Sequence, residues 1–186
     1  MKTLFFAAIA ASVALTGAFA QNSEVGQRRE NQQDRIGQGI QSGQLTAGET
    51  SRLENREAAI NQEVRTDRSL NGGKLTNQER AIVNQQQNKM SNQIYNDKHN
   101  AAVQHYGNSE VGQRRENQQD RIAQGVKSGR LSAGETARLE KGESAINQEV
   151  RTDRRINGGK LTGGEKAQVN RQQNRMSGKI YRAKHN

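Results

Sequence analysis

Residues 22–100 and 108–186 of this chain are two copies of one sequence. They align at a constant offset of 86 positions without a gap, and they are identical at 58 of 79 positions. The seven residues 101–107, AAVQHYG, join the two copies. Because copies this similar fold alike, the chain must build its fold from one unit used twice. We call residues 22–100 repeat one, residues 108–186 repeat two, and residues 101–107 the linker.

The first twenty residues have the pattern of a secretory signal peptide. Lys2 supplies a positive charge, LFFAAIAASVAL is apolar but too short to span a bilayer, and Ala18 and Ala20 provide the small residues of a cleavage site. We therefore expect residues 1–20 to be removed before Gln21 and the mature protein to be exported, to the periplasm or the extracellular space. The chain has no cysteine, so we expect neither disulfides nor a lipoprotein anchor. No later segment is apolar enough to predict a transmembrane helix.

The motif Gly-x-Leu-Thr/Ser-x-x-Glu occurs four times, twice in each repeat. Its hydroxyl and its glutamate have the spacing of a helix-capping box, in which each side chain accepts a hydrogen bond from the other residue's backbone N–H. The four pairs are Thr46 with Glu49, Thr76 with Glu79, Ser132 with Glu135, and Thr162 with Glu165. The glycine before each pair suits a chain that leaves a helix in a left-handed conformation. Each motif thus predicts the end of one helix and the start of the next.

These boundaries predict an all-α fold, a tandem duplication of a three-helix unit. The helices of repeat one are expected at about 24–42, 47–70 and 77–97, with equivalents in repeat two. Apolar residues recur at helical spacings and mark a narrow stripe on each helix. The stripes are formed by Val25, Ile36, Ile40, Leu53, Ile60, Val64, Val83, Met90 and Ile94, and the expected core is completed by Leu45, Leu70, Leu75, Ile82 and Tyr95.

Fourteen large apolar residues are few for a 79-residue unit. Their burial offsets only part of the conformational entropy lost on folding, so we expect a lone repeat to be marginally stable. Three outcomes stay open: elongated hairpins with partly wet seams, two repeats packed on each other, or stabilisation by a dimer or a partner.

The same motif resembles the second half of an EF-hand calcium loop. In the window ending at Glu79, glycine, an aliphatic residue and glutamate fall at the sixth, eighth and twelfth places. The first, third and fifth places, which need oxygen ligands, hold Arg68, Leu70 and Gly72. We therefore predict helix caps and no metal or other cofactor, and a degenerate EF-hand-type calcium-binding protein is the alternative.

No residue pattern predicts catalysis, and we do not expect an enzyme. His99 and His185 lie in the polar ends of the repeats, and His105 lies in the linker, where histidines are usually solvated. The acidic pair Glu54 and Glu57 is flanked by arginines at helical spacing, which favours surface ion pairs.

Repeat two is strongly basic, whereas repeat one is nearly neutral. Repeat one has 11 Lys/Arg and 10 Asp/Glu, and repeat two has 17 and 9, giving net charges of +1 and +8. The apolar positions are almost unchanged, so the differences lie at the surface. The expected partner-binding basic surface consists of Lys127, Arg130, Lys141, Arg155, Arg171, Lys179 and Arg182. This asymmetry predicts an anionic polymer or surface as partner, without sequence-specific nucleic-acid recognition; a surface tuned only for solubility is the alternative.

Two resemblances add expectations. The repeats resemble small exported uncharacterised bacterial proteins with paired Gly-x-Leu-Thr-x-x-Glu motifs, a likeness that implies no activity. Leu45-Thr46-x-x-Glu49 and its counterpart thirty residues later also resemble the Leu-Thr-x-x-Gln signature of the periplasmic Spy/CpxP stress-chaperone group, with glutamate in place of glutamine. The chain's mean hydropathy of −1.09 is similar to that of hydrophilin-type desiccation and osmotic protectants.

From these features we predict an exported, non-enzymatic helical-repeat protein. It is expected to bind anionic or partly unfolded client partners in a stress-protective or chaperone-like role, and it could form a homo-oligomer. A hydrophilin-like protectant is the second alternative, beside the calcium-binding protein.

Overall fold

The computed structural model describes residues 13–186, with side chains from residue 24 onward, and this part of the chain is all-α. Its helices are α1 (Val13–Gln41), α2 (Ala47–Leu70), α3 (Asn77–Lys98), α4 (Glu110–Lys127), α5 (Ala133–Ile156) and α6 (Gly163–Lys184). The all-α prediction is confirmed. Helix α1 begins earlier than expected, inside the predicted signal peptide; residues 1–12 of that peptide lie outside the described residues, and its cleavage stays a prediction. None of the described helices combines the length and apolar character needed to cross a membrane.

The loop between α1 and α2 depends on two glycines. Gly43 has a φ of +71°, the left-handed conformation in which the chain leaves α1. The backbone amide of Leu45 then donates to the carbonyl oxygen of Gly39 at 2.9 Å, and the Leu45 side chain folds back over α1. A Cβ at Gly39 would lie 2.6 Å from that side chain, so α1 needs a glycine there for the leucine of the motif to reach the core.

Within each repeat, buried glutamines join the first helix to the third. The side-chain amide of Gln32 on α1 donates to the backbone carbonyl of Gln87 on α3 at 2.7 Å, and the Gln87 amide donates to the carbonyl of Val25 at 3.0 Å. Gln118 and Gln173 make the corresponding first bond in repeat two, also at 2.7 Å. These bonds fix the register between the outer helices of each repeat.

The two repeats pack on each other, mainly through α2 against α5 and α1 against α4. Positions 86 residues apart meet directly. The Ser51 hydroxyl donates to the carbonyl of Ala137 at 3.0 Å, and the Lys127 ammonium lies 3.4 Å from the side-chain oxygen of Gln41. Contacts between equivalent positions indicate an approximate two-fold axis, as in a symmetric dimer joined into one chain. The packed pair of repeats, one of the three expected outcomes, is observed.

One apolar core extends through both repeats. All nine stripe residues predicted for repeat one are buried, as are Leu45 and Leu75. The prediction was wrong for Leu70, Ile82 and Tyr95, which are 77%, 42% and 58% exposed. Leu70 is the last residue of α2, while Ile82 and Tyr95 each neighbour a buried stripe residue and face outward from it.

Candidate functional site

The four repeated motifs form helix caps. At the start of α2 the backbone N–H of Thr46 donates to the Glu49 carboxylate at 2.9 Å, and the Glu49 N–H donates to the Thr46 hydroxyl oxygen at 3.3 Å. The same reciprocal pair begins α3, α5 and α6, at Thr76 with Glu79, Ser132 with Glu135, and Thr162 with Glu165.

The carboxylates of two caps also join neighbouring helices. The side-chain amide of Asn71 lies 2.8 and 3.0 Å from the two carboxylate oxygens of Glu79, and Asn157 holds Glu165 in the same way. The backbone hydrogen bond from Thr76 holds the pKa of Glu79 below its usual range. N–H donors therefore surround these glutamates. The described residues contain no group of three or more His, Cys, Asp or Glu placed to hold a metal ion.

The two histidines that end the repeats are held in identical local contacts. The Nδ1 atom of His99 lies 2.7 Å from the Tyr95 carbonyl oxygen, and the two rings stack with centroids 4.2 Å apart. His185 and Tyr181 repeat this arrangement, with the same two distances. His105, in the linker, is exposed.

The outer face of α6 presents a stripe of cations. Arg171, Arg175, Lys179 and Arg182 are spaced by four, four and three residues, so they lie along one side of the helix, and all four are exposed. The buried residues of α6 (Val169, Gln173, Met176 and Ile180) lie on the opposite side. The equivalent positions on α3 are Gln85, Lys89, Gln93 and Asn96, with a single charge. We call the four cations of α6 the basic stripe.

The structure divides the predicted basic surface. All seven predicted cations are exposed, but only Arg171, Lys179 and Arg182 belong to the basic stripe. Lys127 lies at the contact between repeats, Arg130 lies in the loop before α5, and Lys141 and Arg155 lie on α5. Arg175 was missed because the equivalent residue in repeat one is already a lysine; helical spacing alone would have found it.

Arg130 joins a second group of cations at the end of α6. The Lys184 ammonium donates to the backbone carbonyl of Arg121 at 3.2 Å. Partial burial lowers the pKa of Lys184, and the nearby charges of Arg121 and Arg130 lower it further. Repeat one has Gln44 in place of Arg130, so this crowding of positive charge is stronger in repeat two.

The expectation of surface ion pairs at Glu54 and Glu57 was wrong. Both side chains are fully buried, because they lie on the face of α2 that packs against α5. Their equivalents Glu140 and Glu143 are buried on α5, so four carboxyl groups lie between the repeats. Glu57 falls at helical spacing between the stripe residue Leu53 and Val64, a signal that could have placed it in the core.

Burial raises the pKa of each carboxyl in this group, which we call the glutamate cluster. The pKa of Glu54 rises to about 8, and those of Glu57 and Glu143 rise to about 7. Burial also raises the pKa of Glu140 well above its usual range, and the nearby carboxyls of Glu143 and Glu54 add to the effect. Near neutral pH, part of the glutamate cluster is therefore protonated.

Few donors compensate the glutamate cluster. The side-chain amide of Gln33 donates to Glu54 at 3.1 Å, and that of Gln119 donates to Glu140 at 3.0 Å. The guanidinium of Arg115 is buried near Glu143, and its equivalent Arg29 lies near Glu57 but is exposed. The two repeats thus surround equivalent carboxyls differently, and the difference lies where the linker crosses repeat two.

The linker is docked along the contact between the repeats. The backbone amide of Gln104 donates to the carbonyl of Gly43 at 2.8 Å, and the Tyr106 ring lies over Arg115, with the guanidinium carbon 5.4 Å from its centroid. Just before it, the Asn100 side-chain amide donates to Glu49 at 2.7 Å. The linker therefore binds a loop of repeat one and a helix of repeat two at once.

Comparison with known proteins yields no relative: no family model, curated protein or solved structure matches the chain. The all-α fold, the basic stripe, the glutamate cluster and the docked linker are therefore the features on which a functional proposal rests.

Proposed function

We propose that this chain is an exported, non-enzymatic binding protein that takes anionic or partly unfolded partners on repeat two, in a stress-protective, chaperone-like role. The observation that supports it best is the basic stripe: four cations on the exposed face of α6, at positions whose equivalents on α3 include one cation, Lys89.

The four cations of the basic stripe lie on a helix whose own acidic residue, Glu165, is in its first turn. The ion pairs of Arg28 with Glu24 and of Arg114 with Glu110 lie on α1 and α4, and neither involves α6. Like charges four residues apart on a helix repel one another. A bound polyanion would relieve this repulsion along a stripe of about 16 Å, the rise of eleven helical residues.

Exposed apolar groups elsewhere on repeat two suit a partly unfolded partner. Tyr181 is 58% exposed and precedes Arg182, and Ile156, at the end of α5, is 73% exposed. An unfolded client that carries acidic and apolar side chains would find complementary groups for both on repeat two. A folded acidic protein would use the cations alone.

The proposal is tested by returning stripe residues to their repeat-one identities in the full-length mature chain. The variant Arg171→Gln, Lys179→Gln, Arg182→Asn removes three charges from α6. The control Arg52→Gln, Arg56→Gln, Lys74→Gln removes three exposed charges from repeat one. Elution from immobilised heparin along a salt gradient measures polyanion binding, and aggregation of reduced α-lactalbumin measures protection of an acidic unfolded client.

We expect the stripe variant to elute at clearly lower salt than the control and to lose most of its protection of the client. Screening by salt should weaken binding of the parent chain more than binding of the stripe variant. Equal elution of the two variants would show that only net charge matters and would refute the role of α6.

A further inference from the structure

A groove of about 370 Å³ lies between the repeats, on the side away from the linker. It is bounded by Arg29 and Asp34 on α1, by Asn61 and Arg65 on α2, and by six of the residues between 126 and 133, at the junction of α4 and α5. We call it the open groove. It combines helices of repeat one with a loop of repeat two.

The approximate two-fold axis relates the open groove to the place where the linker is docked. Arg29 is equivalent to Arg115, and Gly129 in the open groove is equivalent to Gly43. Arg115 and Gly43 are the residues that hold Tyr106 and Gln104 of the linker. The chain thus contains two versions of one groove, and one of them holds an extended segment of polypeptide.

Acidic residues beside the docked tyrosine also have counterparts in the open groove. Burial raises the pKa of the Tyr106 phenol, and the carboxylates of Asp120 and Glu116 lie near enough to raise it further. Their equivalents are Asp34 and Glu30, both of which line the open groove. The open groove therefore keeps these two carboxylates, and it also has Lys127 where the groove of the linker has Gln41.

Exposure differs between the two grooves at these equivalent residues. Gly43 is buried, and a Cβ there would lie 3.0 Å from the Gln104 carbonyl oxygen; Gly129 is exposed, and a Cβ there would meet open space. Arg115 is 5% exposed, whereas Arg29 is exposed. Gly129 and Arg29, the equivalents of the residues that bind the linker, are thus accessible to another segment in the open groove.

We propose that the open groove binds an extended segment of another polypeptide, with a tyrosine ring placed on Arg29 and a backbone N–H two residues earlier paired with the carbonyl of Gly129. The pattern required of this segment is that of the linker, x-His-Tyr or more generally x-x-Tyr. A cation under an aromatic ring and a backbone hydrogen bond are both independent of the partner's remaining sequence.

The occupant is another polypeptide rather than the chain's own leading segment. By the offset of 86, residues 15–21 correspond to the linker, but they continue α1 as a helix. The open groove also lies on α1, α2 and the loop of repeat two, away from the outer face of α6. This inference is therefore independent of the basic stripe and of the proposed function.

The test uses the linker itself as the probe. A synthetic peptide of residues 99–109, HNAAVQHYGNS, is titrated into the ¹⁵N-labelled mature chain at concentrations up to about 2 mM. The tethered linker keeps its own groove through its high effective concentration. We therefore expect the Gly129 amide signal to shift with saturation while the Gly43 signal stays in place.

Matched variants test whether the peptide tyrosine contacts Arg29. Arg29→Ala should weaken peptide binding about three- to thirty-fold, the range expected for loss of a cation–π contact. A peptide with alanine in place of its tyrosine should lose a similar factor. Arg114→Ala also removes one positive charge, but at a position outside the open groove, and it should leave the peptide affinity within about twofold of the parent value.

Two results would overturn the proposal: no shift of Gly129 over the whole titration, or equal peptide affinity for the parent chain and Arg29→Ala. Sedimentation of the chain without peptide tests whether a second copy of the chain occupies the open groove instead. If the chain forms dimers that Arg29→Ala dissociates, the groove takes a second copy, and the assignment to a different polypeptide is wrong.

Discussion

The hydroxyl of Ser51 donates a hydrogen bond to the backbone carbonyl of Ala137, its own equivalent in the other repeat, at 3.0 Å. A residue meets its equivalent only near a symmetry axis, so this bond lies near the centre of the contact between the repeats. The faces of α2 and α5 that meet there are self-complementary. Each repeat therefore has the interface of a dimer subunit, and the few apolar residues of the two repeats join in one core.

Separated repeats should be unstable and should associate. We expect residues 22–100 alone at a few micromolar to melt about 10–20 °C below the full mature chain, because α2 loses its partner face. Higher concentration should raise the midpoint through formation of homodimers. Circular dichroism melts and sedimentation equilibrium check this, and a monomeric repeat that melts with the intact chain would contradict it.

The glutamate cluster should make the protein more stable at mildly acidic pH than at alkaline pH. Carboxyls with a pKa near 4.5 when unfolded, but about 7 in the folded Glu57 and Glu143, bind more protons in the folded state between these values. The stabilisation that each buried carboxyl contributes is fully present below its unfolded pKa. It is lost as pH rises through the folded pKa, at on the order of 1–3 kcal/mol of unfolding free energy per group. Urea unfolding at pH 5.5 and 8.5 measures the difference.

A single substitution tests whether the glutamate cluster causes this pH dependence of stability. Glu57→Gln keeps the shape of the side chain and removes the ionisation, so it should stabilise the chain at pH 8.5 and flatten the pH profile. Glu30→Gln is the control, because Glu30 is exposed. If both variants keep the slope of the parent chain, the cluster is not its origin.

The buried glutamines should matter more for stability than any exposed one. Gln32→Ala removes the amide that bonds the Gln87 carbonyl and the Ser91 hydroxyl, at 2.7 and 2.9 Å, and leaves the buried carbonyl without that donor. We expect a loss of about 1–3 kcal/mol in the free energy of unfolding. Gln27→Ala, at an exposed position of α1, should change it by less than about 0.5 kcal/mol.

Local chemistry made most of the fold predictable from the sequence. A hydroxyl and a glutamate three residues apart define a helix start on their own, and the starts of α2, α3, α5 and α6 fall directly after Thr46, Thr76, Ser132 and Thr162. The apolar stripes likewise need only the period of the helix, so their nine residues in repeat one are buried as expected.

Capping motifs and helical periodicity could not predict the features that depend on contact between the two repeats. Glu54 and Glu57 carry the charge of surface residues, and only the packing of α2 on α5 buries them. The linker shows no periodicity, so its docking on Gly43 and Arg115 follows from its length and the symmetry of the repeats rather than from a local signal. The sequence predicted the difference in net charge between the repeats. Assigning four cations to one exposed face, the basic stripe, required knowing which side of α6 is buried.

Glycines 26 and 112 are equivalent, yet alanine at each should have opposite effects. At Gly112 the new Cβ would lie 2.0 Å from the Tyr106 carbonyl oxygen, so Gly112→Ala must displace the docked linker, at about 1–3 kcal/mol in stability. At Gly26 it would meet open space within α1, so Gly26→Ala should stabilise by about 0.5–1 kcal/mol. Thermal unfolding of both full-length variants measures the contrast. Equal effects would mean that the linker yields at Tyr106 without cost, and that its docking contributes nothing to the stability of the fold.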